Sequence, residues 1–196
     1  ERDWLLADGA TGTNYFAMGL QSGDSPELWN IDHPDRVASL HRQFVESGAD
    51  IILTNSFGGS AYRLKLHQAE SRVRELNYAA AQIARGIADV SERQVIIAGS
   101  IGPTGEILEP IGSLSIADAT AAFAEQAAAL VDGGVDIIWL ETMSSKQELQ
   151  AAGVGAAKAE APIVATKTFD TNGSTMMGVP PAKLVDIYHA TVPRLA

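Results

Sequence analysis

Five short runs of apolar and β-branched residues recur along the chain, at Trp4 to Ala7, Asp50 to Thr54, Gln94 to Ala98, Val135 to Leu140 and Pro162 to Thr166. Each is close to continuously apolar rather than alternating, the pattern of a strand buried on both faces of a parallel sheet. Helical periodicity fills the gaps between them. From Asp35 to Glu46 the apolar residues Val37, Leu40, Phe44 and Val45 share one face, with Pro34 at the start and Gly48 just past the end. Ser71 to Ala88, Ile116 to Asp132, Lys146 to Ala159 and Pro181 to His189 repeat that periodicity. The predicted order is βαβαβαβαβα.

Two segments look like copies of one another: Ser47-Gly48-Ala49-Asp50-Ile51-Ile52-Leu53-Thr54-Asn55 and Gly133-Gly134-Val135-Asp136-Ile137-Ile138-Trp139-Leu140-Glu141. In both, a glycine ends a helix where a left-handed residue is needed, a buried strand follows, and polar residues sit at its carboxyl end. An open doubly wound sheet alternates in the same way, but it normally carries a glycine-rich phosphate turn after the first strand. Asp8-Gly9-Ala10-Thr11-Gly12-Thr13 only partly imitates one, and no ribose-binding acid follows the second strand. The predicted fold is therefore α/β, a (β/α)8 TIM barrel in which all strand ends share one functional face. Residues 1–196 correspond to about the first five β/α units, truncated before a sixth strand, with Pro193-Arg194-Leu195-Ala196 as its run-in. An unclosed barrel exposes strand edges and is expected to leave Ile52, Ile97 and Ile138 partly unburied, favouring aggregation or a homo-oligomer.

Charge narrows the partners. Lys+Arg 14 against Asp+Glu 24 gives a net charge of -10, with the acids spread along the chain, which disfavours nucleic acid and anionic membrane surfaces. No apolar run approaches the roughly 20 residues of a membrane span, and Glu1-Arg2-Asp3-Trp4 does not resemble a signal peptide. The expectation is a soluble, cytoplasmic protein. There is no cysteine, so these residues hold no disulfide, thiol nucleophile or thiolate metal site.

Candidate chemistry gathers just past the strands, at Asp8-Gly9-Ala10, Asn55-Ser56-Phe57, Gly99-Ser100-Ile101-Gly102, Glu141-Thr142 and Phe169-Asp170-Thr171. A carboxylate directly after an apolar strand is costly unless a cation joins it, so Asp8 and Glu141 suit the ammonium of a small ligand. Alternatively, Asp8 simply caps a turn and Glu141 pairs with a nearby Lys or Arg. Gly9, Gly12, Gly99 and Gly102 would let backbone N–H groups approach a ligand carboxylate, or merely shape turns. His33, His41, His67 and His189 lack ligand spacing and are expected to face solvent. Lys167, near the fifth strand's end, keeps a Schiff-base aldolase open as an alternative, and a non-catalytic amino-acid-binding fragment is another.

Taken together, Leu6-Ala7-Asp8-Gly9-Ala10-Thr11-Gly12-Thr13, Leu53-Thr54-Asn55-Ser56-Phe57, Ala98-Gly99-Ser100-Ile101-Gly102-Pro103, Leu140-Glu141-Thr142 and Met176-Met177-Gly178-Val179-Pro180-Pro181 resemble the homocysteine S-methyltransferase family. The likeness is to the homocysteine-binding domain of the methionine synthase and betaine-homocysteine methyltransferase type. It implies transfer of a methyl group from a small donor to homocysteine sulfur, giving methionine, on a barrel that binds zinc through three cysteine thiolates. It further implies that Asp8 and Glu141 hold the homocysteine ammonium. Gly9, Ala10, Asn55 and Ser56 would contact its amino-acid end, and Ser100 would belong to the third-strand signature. The zinc cysteines are expected beyond Ala196, so within these residues no metal and no catalytic residue is expected. The positions that form an aromatic cage for betaine in the animal enzymes fall on Asp24, Gly58 and Thr142, leaving only Trp29 or Tyr62 to supply a ring. A donor other than betaine bound in the animal fashion is expected.

Overall fold

The computed structural model describes residues 3–143, 145–169, 172–175, 178 and 180–191. The predicted sixth-strand run-in at 193–196, the strand-end residues Asp170 and Thr171, and Met176, Met177 and Val179 of the last motif lie outside the described residues. Four parallel strands form one sheet in chain order: β1 (Ile51–Leu53), β2 (Ile96–Ile101), β3 (Ile137–Leu140) and β4 (Ile163–Ala165). Five longer helices connect or flank them: α3 (Pro34–Glu46), α5 (Val73–Ala88), α6 (Ile116–Asp132), α7 (Lys146–Ala157) and α8 (Pro181–Thr191). These match the helices predicted from periodicity, with α5 preceded by a 3-10 turn at Glu70–Arg72. Three short helices, α1 (Gly12–Ala17), α2 (Trp29–Asp32) and α4 (Ala61–Leu64), sit in the connections and were not predicted, being too short for periodicity to register.

The first predicted strand is the main departure. Trp4 to Ala7 makes only a single parallel bridge, Ala7 to Ile51, although Leu6 O accepts from the amides of both Asp50 and Ile51. Trp4, Leu5 and Leu6 are all exposed, so their apolar character reflects a segment with a neighbour on one edge alone rather than a strand enclosed on both faces.

The repeated glycine joint is observed in both copies. Gly48 and Gly134 adopt φ of 105° and 101°, reversing the chain from α3 into β1 and from α6 into β3. The aspartate two residues on then fastens the neighbouring segment. Asp50 Oδ2 accepts from Leu6 N at 2.9 Å, and Asp136 Oδ2 accepts from Ile97 N at 2.7 Å. An arginine closes each joint: Arg93 pairs with Asp50 and donates to the carbonyls of Val45 and Ala49, while Arg85 pairs with Asp136 and donates to Gly134 O. The aspartates are therefore register clamps, a role hidden in the sequence because the arginines come from distant segments.

Strand parity divides the side chains. Ile52, Ile97 and Ile138 are fully buried, because they face the helices. The expectation that an open sheet would expose them is corrected. The opposite face carries Leu53, Ala98, Ser100, Ile137, Trp139 and Val164, aligned through the pairs Leu53 with Ala98, Ala98 with Ile137, Ser100 with Trp139, and Trp139 with Val164. Leu53, Ile137, Trp139 and Val164 are partly buried. Between α6 and α7 the packing is close, since a Cβ at Gly155 would lie 2.7 Å from Thr120 O. No helix among the described residues is long and apolar enough to cross a membrane.

Candidate functional site

A cavity of about 510 Å³ opens at the carboxyl ends of the strands, with Asp8, Leu53, Ser100, Trp139, Glu141 and Thr166 among its lining residues. Gly9, Ala10, Asn55 and Ser56 line it too, so the residues that the sequence assigned to amino-acid binding all border one space.

The two carboxylates are held in different ways. Asp8 is docked on β1 by its own N–H to Ile51 O and by Leu53 N–H donating to its Oδ2, both at 2.9 Å. Glu141 is anchored as the chain leaves β3, its N–H donating to Ile101 O at 3.0 Å and its Oε1 accepting from the Ser100 hydroxyl. Among the described residues, no Lys or Arg forms an ion pair with either. The turn-cap-and-salt-bridge alternative for Glu141 therefore fails for want of a cation. Burial pushes Asp8 up to about 7, partly offset by the Leu53 amide and reinforced by the charge of Glu141. Burial raises Glu141 as well, opposed by the Ser100 hydroxyl. Two partly buried acids on one cavity, with no cation among the described residues paired with either, make a site that gains from a cation.

Opposite chemistry lies beside Asp8. Gly9 and Ala10 are exposed, and among the described residues their N–H groups donate to no protein acceptor, so they are available to an anionic group. Gly9 also backs onto Phe44, whose ring would lie 3.3 Å from an added Cβ.

Asn55 and Ser56 serve mainly as scaffold. Asn55 Nδ2 donates to Pro26 O and to Asn30 Oδ1, and the Ser56 hydroxyl donates to Ser100 O at 2.7 Å. Gln126 Nε2 reaches across from α6 to Ser56 O, also at 2.7 Å.

Several expectations need correction. Ser100 lies inside β2 rather than past its end, since the strand runs on to Ile101. The strand's alternation still turns Ser100 into the cavity. Gly99 faces the helix layer, where a Cβ would touch Leu130, and Gly102 makes room for the Phe57 ring, so neither glycine approaches a ligand. His41 does not face solvent: it is fully buried in α3, neither ring nitrogen has a partner among the described residues, and burial lowers its pKa to about 4. Trp29 is buried, with Tyr15, His33 and Arg36 against its indole, and neither it nor Tyr62 lines the cavity. The aromatic residues that do are Phe57 and Trp139. Trp139 escaped notice within an apolar run, although its parity with Ser100 was available to find it.

Lys167 follows Thr166, which lines the cavity while Lys167 does not. Burial lowers the pKa of the Lys167 ammonium, and the charge of Glu148 at the start of α7 opposes that shift. This leaves the Schiff-base alternative without a nucleophile in the cavity. A second, smaller cavity of about 310 Å³ adjoins the first across Thr11, Asn55 and Phe57, and is lined by Asp24, Glu27, Gly58, Arg63 and His67 among others. Thr142, one step past Glu141, takes a left-handed φ of 57°, a strained setting for a β-branched residue.

A zinc ion finds no seat in this donor set. The main cavity offers carboxylate, hydroxyl and backbone oxygen but neither thiolate nor imidazole, and no cluster of three or more potential metal ligands occurs among the described residues.

Comparison with known proteins points one way. The sequence profile of the family described as homocysteine S-methyltransferase matches residues 5–195. Methionine synthase of Mycobacterium tuberculosis (strain ATCC 25618 / H37Rv) is 32% identical over 189 residues, covering 89% of this chain and 16% of that protein. Methionine synthase of Mycobacterium leprae (strain TN) is 29% identical over 189 residues with the same coverage. The chain thus spans 16% of the length of these relatives. Among solved structures, the metallated form of the homocysteine methyltransferase MmuM from Escherichia coli superposes with a TM-score of 0.84 at 22% identity, over 100% of this chain and 73% of that one. Its apo form gives 0.76 at 22% identity.

Proposed function

The chain belongs to the homocysteine S-methyltransferase family, and from that premise we propose that it carries the amino-acid-binding half of an enzyme that methylates homocysteine to methionine. Residues 1–196 would then be one arc of a (β/α)8 barrel, and the strand-end face its active face. The observation that carries the reading is the pair Asp8 and Glu141, two acids on one cavity with no cation among the described residues paired with them. The ammonium of homocysteine fills that role, and the Gly9 and Ala10 amides meet its carboxylate. Trp139 and Leu53 give the alkyl chain an apolar wall.

This arrangement positions the nucleophile and does not activate it. Asp8, Glu141 and the backbone amides fix the amino-acid end, so the sulfur is directed to one place and the transfer gains from orientation. The zinc of the family would supply the thiolate, and its ligands are not among the residues described here. Donor binding is assigned to the adjoining smaller cavity. With Asp24 and Gly58 at two of the aromatic-cage positions and the Trp29 ring already packed, a betaine cage of the animal type has no walls here. The test is methionine formation by the native, metal-loaded polypeptide, followed by mass spectrometry with S-methylmethionine, betaine and methylcobalamin as donors. Methionine should appear with at least one donor, and Asp8→Asn should raise KM for homocysteine roughly tenfold to a hundredfold, the loss of one charge-assisted contact. No methionine from any donor, or an unchanged KM in Asp8→Asn, would contradict the reading.

A further inference from the structure

The same two carboxylates bear on what the site contains before substrate arrives. Asp8 and Glu141 line one cavity, each has one oxygen held by a neutral donor, and no Lys, Arg or His among the described residues pairs with them. The groups that face Asp8 are the Leu53 amide on β1, Glu141 at the end of β3 and Tyr15 on α1. The Tyr15 hydroxyl is wholly buried and without a hydrogen-bond partner among the described residues, and the charges of Asp8 and Glu27 oppose its ionisation. It therefore stays neutral. The group facing Glu141 is the Ser100 hydroxyl. Among the described residues none that pairs with either supplies positive charge, and two partly buried like charges on one cavity do not both ionise freely.

We propose that the substrate-free site carries a proton on the Asp8 and Glu141 pair at neutral pH, and that the ammonium of the incoming amino acid displaces it. The proposal rests on the amino-acid-binding reading above. The proton leaves the carboxyl group of Asp8 for solvent, the ammonium keeps all of its own, and one positive charge replaces another, so the charge summed over the two carboxyl groups and the cation they hold is the same before and after binding. Asp8 is the titrating member, since burial and Glu141 together raise it to about 7. Substrate affinity is then linked to pH: weak in acid, where the ammonium must compete with the bound proton, and level once the pair is ionised.

The experiment is calorimetry of the native protein with L-norleucine, which has the amino-acid end of the substrate but no thiol, so that sulfur deprotonation cannot contribute. Titrations in buffers of different ionisation enthalpy count the protons. Release should be roughly half a proton per site at pH 7 and approach one below pH 6, with affinity rising up to about tenfold per pH unit in that lower range and flat above pH 8. Asp8→Asn should abolish the release, and Glu141→Gln should move the midpoint to lower pH by removing the neighbouring charge. If Glu141→Gln binds too weakly for calorimetry, the carboxyl carbon of Asp8 followed by NMR without ligand reads the same midpoint. Norleucine binding with no proton release, or release that survives Asp8→Asn, would overturn the proposal while leaving the amino-acid site standing. Failure of norleucine to bind at any pH would remove the site and the proposal together.

Discussion

Asp8 was legible as a candidate site residue because a carboxylate directly after an apolar strand needs a reason to be there; its protonation behaviour was not, because that depends first on burial in the folded chain and then on Leu53 and Glu141, the latter 133 positions away. A carboxylate whose folded pKa lies above its unfolded value costs stability as pH rises from the unfolded value through about 7. Asp8→Asn should therefore stabilise the fold at pH 8, by roughly 1–3 kcal/mol after allowance for solvent screening, while weakening homocysteine binding. Thermal melts of the two proteins at pH 8 and pH 4 check this, and a gain that persists undiminished at pH 4 would show that ionisation is not its source. His41 behaves in the opposite sense. Its folded pKa of about 4 lies below the unfolded value, so the unfolded chain takes up a proton first and stability falls as pH drops from about 6.5 towards 4. The loss attributable to it is about 3 kcal/mol. His41→Leu should flatten urea-unfolding stability across that window, and an unchanged slope would mean that other groups drive acid sensitivity. Periodicity put His41 on a helix, but its neighbours came from tertiary packing, which spacing alone does not reveal.

At the scale of elements, the helices were easier to read than the strands. A helix of four turns or more repeats its apolar face several times, whereas β1 and β4 are three residues each and carry almost no period. Trp4 to Ala7 has the composition of a strand without the second neighbour that would complete one. In β2, the apolar run set the predicted end at Ala98, yet pairing with β3 carries the ladder through Gly99 and Ser100 to Ile101. The two glycine joints were visible as a repeat, but their aspartates were not understood until Arg93 and Arg85 were seen to close on them. Asp50→Ala removes a largely buried acceptor from Leu6 N and takes from Arg93 its anionic partner, and should cost about 2–3 kcal/mol of unfolding free energy. Asp136→Ala, at the more exposed joint, should cost about 1–2 kcal/mol. Equal losses from the two substitutions would argue that the joints do not differ in burial as their exposures indicate.

Over the whole molecule, the alternation of elements, the parallel order and the single face of strand ends followed from sequence pattern. The division of the sheet into a helix-facing and a cavity-facing side did not. Shifting the assignment by one residue exchanges the faces, and without that parity Ile52, Ile97 and Ile138 were expected to be partly unburied and Trp139 was overlooked. The corrected parity gives the site its composition: an apolar wall from β1 and β3, acids at two strand ends, and free amides after the first segment. Recognition of the homocysteine ammonium by Asp8 and Glu141 is tested most directly by affinity for homocysteine beside 4-sulfanylbutanoate, the same molecule without its amino group. The account predicts that the native protein prefers homocysteine by roughly tenfold to a hundredfold, the worth of a charge-assisted contact, and that Asp8→Asn removes most of that preference without weakening the desamino compound. Equal affinity for the two ligands, or an Asp8→Asn loss shared equally between them, would contradict it.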